Sequence, residues 1–250
     1  MEKENQQSGI RINKYLSEAG VCSRRAADRE IEAGNVKIEG RIAQTGDRVK
    51  TGETVFFHGK PVRAEEEEIL IAFHKPRGIV CTAEKREKNN IVDYINYPKR
   101  IYPVGRLDKD SEGLILLTNQ GELVNRIMRA GNYHEKEYVV TVDHEVTEEF
   151  LQKMRGGVYL EELDVTTRPC KAWKKGKNCF VIVLTQGYNR QIRRMCQASG
   201  YRVLKLIRIR IMNICLGDLE KGTWRDVTEK EKRELYCQIR DSYSAPGNRK

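Results

Sequence analysis

Four consecutive glutamates at residues 65–68 divide the chain into two stretches whose apolar residues recur with different periods. Ahead of them the period is helical. Ile12, Tyr15, Leu16 and Ala19 share one face of a helix that Gly20 ends. Ser23 is a natural N-cap for a second helix carrying Arg24, Arg25, Ala27 and Ile31, which stops at Gly34. Strand-like pieces follow at 36–38 and 54–57. Behind the glutamates the pattern changes to apolar strands, at 69–73 and 180–184 among others, with helical spacing near 121–130, 147–155 and 189–199. No repeat of 20–50 residues is present. This division predicts a small module at 1–64, a linker at 65–68, a larger α+β domain at 69–241 and a polar tail at 242–250.

Charge is segregated along the same chain. The net charge is +10, and twelve of the 46 Lys and Arg residues lie between Val165 and Gly217, where no Asp or Glu occurs. The remaining 34 are nearly matched by 36 acidic residues, so the positive excess belongs to one segment. Interleaved with Trp173, Tyr188 and Tyr201, that segment has the composition of a polyanion-binding surface. It alternates like strands and contains no amphipathic anchor helix, which disfavours a membrane surface. No apolar run approaches the roughly 20 residues of a membrane span. Residues 1–9 lack the apolar core of a secretion signal, so a cytoplasmic protein is expected. The seven cysteines form no C-x-x-C pair and the four histidines are scattered, which argues for reduced, structural thiols and against a zinc site. No recognition-helix motif for DNA is present.

Three segments carry candidate chemistry. Residues 105–113 (GRLDKDSEG) form a charged, glycine-bounded loop ahead of an apolar strand, a placement that holds polar groups at the rim of a sheet. Spacing alone does not choose between Asp108 and Asp110 as the reactive carboxylate, and either also suits a surface turn. Lys136-Glu-Tyr138 opens a strand with a tyrosine that, on its own, reads as a core residue. Residues 186–195 join a glycine turn to an arginine-dense helix start, where Arg190, Arg193 and Arg194 suit phosphate contact. In the first module, Arg24 and Arg25 oppose the positive end of their own helix, a mild cost that hints at binding.

Taken in order, these strings resemble known families. RINKYLSEAGVCSRRAADREIEAGNVKIEGR is similar to the S4 RNA-binding module, departing from its commonest form past Arg41. GRLDKDSEGLILLTN, KEY and NRQIRRM resemble the signature segments of pseudouridine synthases, in the branch that joins an S4 module to the catalytic domain. The match spans about residues 10–228. Ser111 stands where many members have threonine, and Tyr188 where a basic or aliphatic residue is usual. The resemblance implies a mixed, mainly antiparallel catalytic sheet flanked by helices, and isomerisation of uridine with no cofactor and no metal. It implies Asp108 as the essential carboxylate, Arg193 as its partner and Tyr138 against the target base. Arg106 would fill the gap left by an extruded base, while Lys14, Arg24, Arg25, Arg190 and Arg194 would contact RNA. The implied partner is ribosomal RNA, and the strings RAGNYHEKEY and RIRIMN lean toward members acting on the large subunit. Small-subunit rRNA or a tRNA stem-loop is the alternative substrate, and a non-catalytic ribosome-assembly factor the alternative function. Nothing in the sequence suggests a symmetric interface, so a monomer is expected.

Overall fold

The computed structural model describes residues 9–63, 67–84 and 86–242. The tail expected at 242–250, apart from Ser242, and residues 65 and 66 of the expected linker lie outside the described residues. The chain separates into two compact units, divided between Glu68 and Ile69.

In the first unit, β1 (Ile10–Arg11) leads into α1 (Ile12–Glu18), and α2 (Arg24–Glu32) follows. Ser23 caps α2 by accepting from the Ala26 N–H at 3.2 Å, as its position before an amphipathic run dictates. β2 (Val36–Ile38), β3 (Arg41–Ile42), β5 (Val55–Phe57) and β6 (Lys60–Val62) form a small antiparallel sheet in the order β3-β2-β5-β6, while β4 (Arg48–Val49) pairs with β1. Ile12 and Leu16 pack on Ala27 and Ile31 from the helices and on Val36, Ile38 and Val55 from the sheet. The i, i+4 spacing of each helical pair puts it on one face, which fixes the two-helix packing.

The second unit is built on one large sheet. Its strands are β7 (Leu70–Lys75), β8 (Tyr102–Pro103), β9 (Glu112–Thr118), β10 (Lys136–Val142), β13 (Lys171–Gly176), β14 (Cys179–Leu184), β15 (Val203–Ile211), β16 (Ile214–Cys215) and β17 (Trp224–Asp226). The order is β13-β14-β10-β15-β9-β7-β17, with β16 on β15 and β8 on β9. Among the described pairings between these strands only β15–β9 is parallel, so the expected mixed, mainly antiparallel sheet is what forms. A separate short hairpin joins β11 (Tyr159–Leu160) to β12 (Val165–Thr166).

Strands β7 and β9 are buried on two faces. Leu70, Ala72, Leu114 and Leu116 face a core with α4 (Gly121–Met128) and α7 (Glu229–Gln238). Ile71, Phe73, Ile115 and Leu117 face the opposite core with Ile91 of α3 (Ile91–Ile95). This is why β7 and β9 read as continuous apolar runs rather than alternating ones. A third core joins Phe150 of α5 (Glu148–Gly156) and Met195 of α6 (Gln191–Gln197) to Val140, Phe180, Ile182 and Leu206. The helix expected from 189 starts at Gln191, because Arg190 is held in the left-handed region at φ 52° and breaks the helical path before it.

Candidate active site

The loop at 105–111 is fixed from several sides. The Leu107 N–H donates to Cys81 Sγ at 3.3 Å, and the Gly78 N–H donates to the Lys109 carbonyl at 2.8 Å. The Ser111 N–H closes the turn onto the Asp108 carbonyl at 3.0 Å. Lys75 is fully buried and donates to the Ser111 and Pro76 carbonyls, each at 2.8 Å. Burial pulls its ammonium below the ordinary lysine range. At the far end of the loop Gly113, at φ 112°, lies so near β15 that a Cβ there would stand 2.3 Å from the Arg208 carbonyl oxygen. Only glycine allows β9 to pair in parallel at this point.

The loop borders a cavity of about 640 Å³. Asp108 lines it with a side chain 28% exposed, whereas the Asp110 side chain is 59% exposed and is not part of the lining. The geometry therefore separates the two carboxylates that spacing could not. From the α6 side, Arg190 Nη1 stands 3.9 Å from Asp108 Oδ2 and Arg193 Nε also 3.9 Å. Arg193 is anchored by Nη1 to the Val203 carbonyl at 3.3 Å and by Nη2 to the Asp110 carbonyl at 3.2 Å and Ser111 Oγ at 3.4 Å. Its Nε is buried with no hydrogen-bond partner among the described residues. Burial, and secondarily the Arg190 charge, lowers its pKa from the ordinary arginine value.

The cavity floor is one face of three strands. Tyr138 on β10 sits opposite Ile182 on β14 and Arg208 on β15, and Lys136 sits opposite Leu184. Side chains at i and i+2 share a face, so Lys136 and Tyr138 point the same way, and Leu184, Leu206 and Arg208 join them in the lining. Tyr138 is half-buried and packs between two cores with its ring at the cavity, so it is not an ordinary core tyrosine. Lys136, Arg208 and Gln186 are buried polar residues of this wall that sequence reasoning passed over. A lysine and an arginine at apolar-facing positions of strands were the signal that could have found them.

Arg106 is exposed and lines the cavity beside Asp108. Arg194 does not line it; it pairs with Glu162 and donates from Nε to the Asn189 carbonyl at 3.0 Å. Lys14, Arg24 and Arg25 belong to the first unit, where Lys14 lies 3.6 Å from Glu18 and Arg24 Nη2 donates to Asn13 Oδ1 at 3.4 Å. Arg24 and Arg25 are exposed at the start of α2. The basic segment does not survive folding as a continuous cationic face, because neighbouring strands and loops supply the acids it lacks. Lys171 meets Glu135 (3.0 Å), Lys174 meets Glu145 (3.1 Å), Lys205 meets Glu112 (3.3 Å), and Arg210 meets Glu135 and Glu137 (3.0 and 2.8 Å). Of the twelve, Arg168, Lys175, Lys177 and Arg208 are left without an ion pair among the described residues. Likewise, among the described residues no three His, Cys, Asp or Glu side chains cluster as metal ligands, and no described helix is long and apolar enough to cross a membrane.

Comparison with known proteins agrees with both units. Residues 69–198 match the family described as RNA pseudouridylate synthase, and residues 10–55 match the S4 domain. The chain is 53% identical over 239 residues to the dual-specificity RNA pseudouridine synthase RluF of Escherichia coli K12, covering 95% of this chain and 82% of that protein. It is 37% identical over 234 residues to the ribosomal large subunit pseudouridine synthase B of Bacillus subtilis, covering 90% and 95%. A crystal structure of a pseudouridylate synthase superposes with a TM-score of 0.67 at 28% identity, covering 90% of this chain and 99% of that one.

Proposed function

Because this chain belongs to the RNA pseudouridylate synthase family and carries an S4 domain, we propose that it isomerises specific uridines of large-subunit ribosomal RNA with Asp108 as the essential carboxylate. One observation carries the assignment: Asp108 is the carboxylate that lines the cavity, with Arg193 and Arg190 each 3.9 Å from its Oδ2. Two guanidinium groups at that distance complement the negative charge of a carboxylate.

Isomerisation breaks the bond from ribose C1′ to N1 and remakes it to C5. The carboxylate acts either by attacking C1′ or by removing the ribose 2′ proton; in both routes the bonding pair leaves on N1. The uracil then turns and C5 bonds to C1′ as the carboxylate–C1′ ester bond breaks or, in the second route, as the proton returns to C2′. The C5 proton then departs and N1 takes up a proton. Atoms and electrons balance within substrate and enzyme, so no cofactor enters. A stacked, paired uridine hides C1′, so the nucleotide must be flipped into the cavity at a cost of about a few kcal/mol. The Tyr138 ring gives the flipped base a face to pack on, and exposed Arg106 at the rim can occupy the gap it leaves. The S4 unit, with Lys14, Arg24 and Arg25, docks on folded RNA by shape and phosphate contact, while Arg190, and Arg194 on exchange from Glu162, contacts backbone near the target. The enzyme acts as a monomer in the cytoplasm, where its substrate is made.

Large-subunit ribosomal RNA is favoured by the name of the Bacillus subtilis relative. A second RNA substrate is favoured by the dual specificity in the name of the more similar Escherichia coli relative, and tRNA is where to look for it. The test is tritium release from C5-labelled large-subunit rRNA, small-subunit rRNA and bulk tRNA. Release from large-subunit rRNA is expected. Tight binding with no release from any of them, nor from ribosomal particles, contradicts the enzyme and favours an assembly factor.

A further inference from the structure

The same cavity wall holds two buried cations that no carboxylate among the described residues pairs with. Lys136 is 4% exposed and Arg208 1%, and neither has an acidic partner within ion-pair distance among the described residues. Arg208 uses Nε on the Leu114 carbonyl at 2.7 Å, which leaves a buried Nη2 with no acceptor among the described residues. Gln186, 6% exposed, has an equally unpartnered buried Nε2. Among the described residues Lys136 hydrogen-bonds only to the His134 carbonyl, at 3.3 Å. Like charges buried without a counter-ion destabilise a fold, so their placement in the cavity wall is explained by what the cavity receives.

We propose that Lys136, Arg208 and Gln186 form an anion-stabilising floor that holds the carbonyl oxygens of the detached uracil while it turns from N1 to C5. This rests on the reading of the cavity as the isomerisation site. When the C1′–N1 bond breaks, its electron pair stays on N1 and the charge spreads to O2 and O4. When C5 bonds to C1′ the pair is used in the new bond and the base is neutral again; loss of the C5 proton and protonation of N1 then restore the conjugated ring. The charge exists only in between, so donors waiting for it favour the rotating intermediate over the bound substrate. A lysine ammonium, with three rotatable donors, can follow oxygens that move.

The other charged groups sharing the cavity are Asp108, Arg106 and Arg190. On β15 Ile211 sits opposite Lys136, and Arg208, opposite Tyr138, is near enough for its charge to act on Lys136; His134 precedes Lys136 on its own chain, and β14 presents the apolar Leu184. Burial first, and the Arg208 charge second, bring Lys136 down to about 8. It is therefore charged below that pH and neutral above it.

Single-turnover tritium release and RNA affinity, measured between about pH 6 and about pH 10, test the assignment on wild type, Lys136→Met and Lys136→Arg. Lys136→Met is expected to slow the chemical step by about 100-fold or more. Its affinity and thermal midpoint should hold or rise, because a buried charge has gone. Wild-type rate should fall about tenfold per unit once Lys136 loses its proton, and Lys136→Arg should keep the rate and lose that fall. A Lys136→Met enzyme with wild-type rate and pH profile overturns the proposal. If that variant does not fold, Gln186→Leu must slow the same step at unchanged affinity, and an unaffected rate overturns the proposal. No tritium release by wild type from any RNA overturns the isomerase reading itself; full wild-type release beside an unaffected Lys136→Met overturns this inference alone.

Discussion

Arg193 presents a buried Nε–H toward Asp108 Oδ2 across 3.9 Å, with no hydrogen-bond acceptor for it among the described residues. The separation is too long for a hydrogen bond but short enough for charge to act, and such contacts commonly tighten only when substrate is bound. The same guanidinium also grips the loop at the Asp110 carbonyl and Ser111 Oγ. Lysine can replace the charge but not this planar set of donors. Arg193→Lys should therefore lower the single-turnover rate by about 100-fold while RNA affinity changes little. Filter binding beside rapid-quench tritium release checks this; a variant that loses affinity instead of rate would make Arg193 an RNA contact rather than a carboxylate partner.

Gly113 shows why the loop stands where it does. A Cβ at this residue would lie 2.3, 2.6 and 3.0 Å from the Arg208 carbonyl oxygen, nitrogen and carbonyl carbon, at φ 112°. Gly113→Ala should destabilise the second unit by about 3 kcal/mol and displace Ser111 and Asp108 with it. Denaturant unfolding reads the first effect and turnover the second. Unchanged stability would mean that β9 and β15 can separate without consequence.

The last helix offers a pH test. Glu231 pairs through both oxygens with Arg225, each contact 2.8 Å, and closes a capping box with Thr228. The Arg225 contact leads in holding its pKa at about 2, below the ordinary 4.5. A depressed carboxylate stabilises the fold above its ordinary pKa, and that stability drains away as pH falls through 4.5 toward 2. Glu231→Gln should cost about 1–2 kcal/mol near neutrality. The gap to wild type should close as the pH approaches the folded value. A gap independent of pH would assign the effect to the cap geometry rather than the charge.

Local physics was legible in the residues. The i, i+4 pairs Ile12–Leu16 and Ala27–Ile31, with Ser23 ahead of the second, placed both helices of the first unit. The double-faced burial of β7 and β9 made them continuous apolar runs. Thr228-x-x-Glu231 is equally explicit for α7, yet the helix went unread because charged residues fill most of its length. What could not be read was whatever the sheet brings together from afar. The stretch from Val165 to Gly217 lacks acids, but Glu112, Glu135, Glu137, Asp143, Glu145 and Glu162 reach it in the fold. Lys136 and Arg208 were legible as charges and illegible as cavity floor, since their meeting depends on β10–β15 register. Asp108 was separated from Asp110 first by resemblance and then by the direction each faces.

That last distinction is the most direct test of the whole account. Asp108→Asn and Asp110→Asn are isosteric changes two residues apart on one fixed loop, so folding and RNA affinity should be nearly equal in the two. Tritium release from C5-labelled large-subunit rRNA should be abolished in Asp108→Asn and largely retained in Asp110→Asn. Substantial release by Asp108→Asn, or its loss only in Asp110→Asn, would contradict the assignment of the reacting carboxylate.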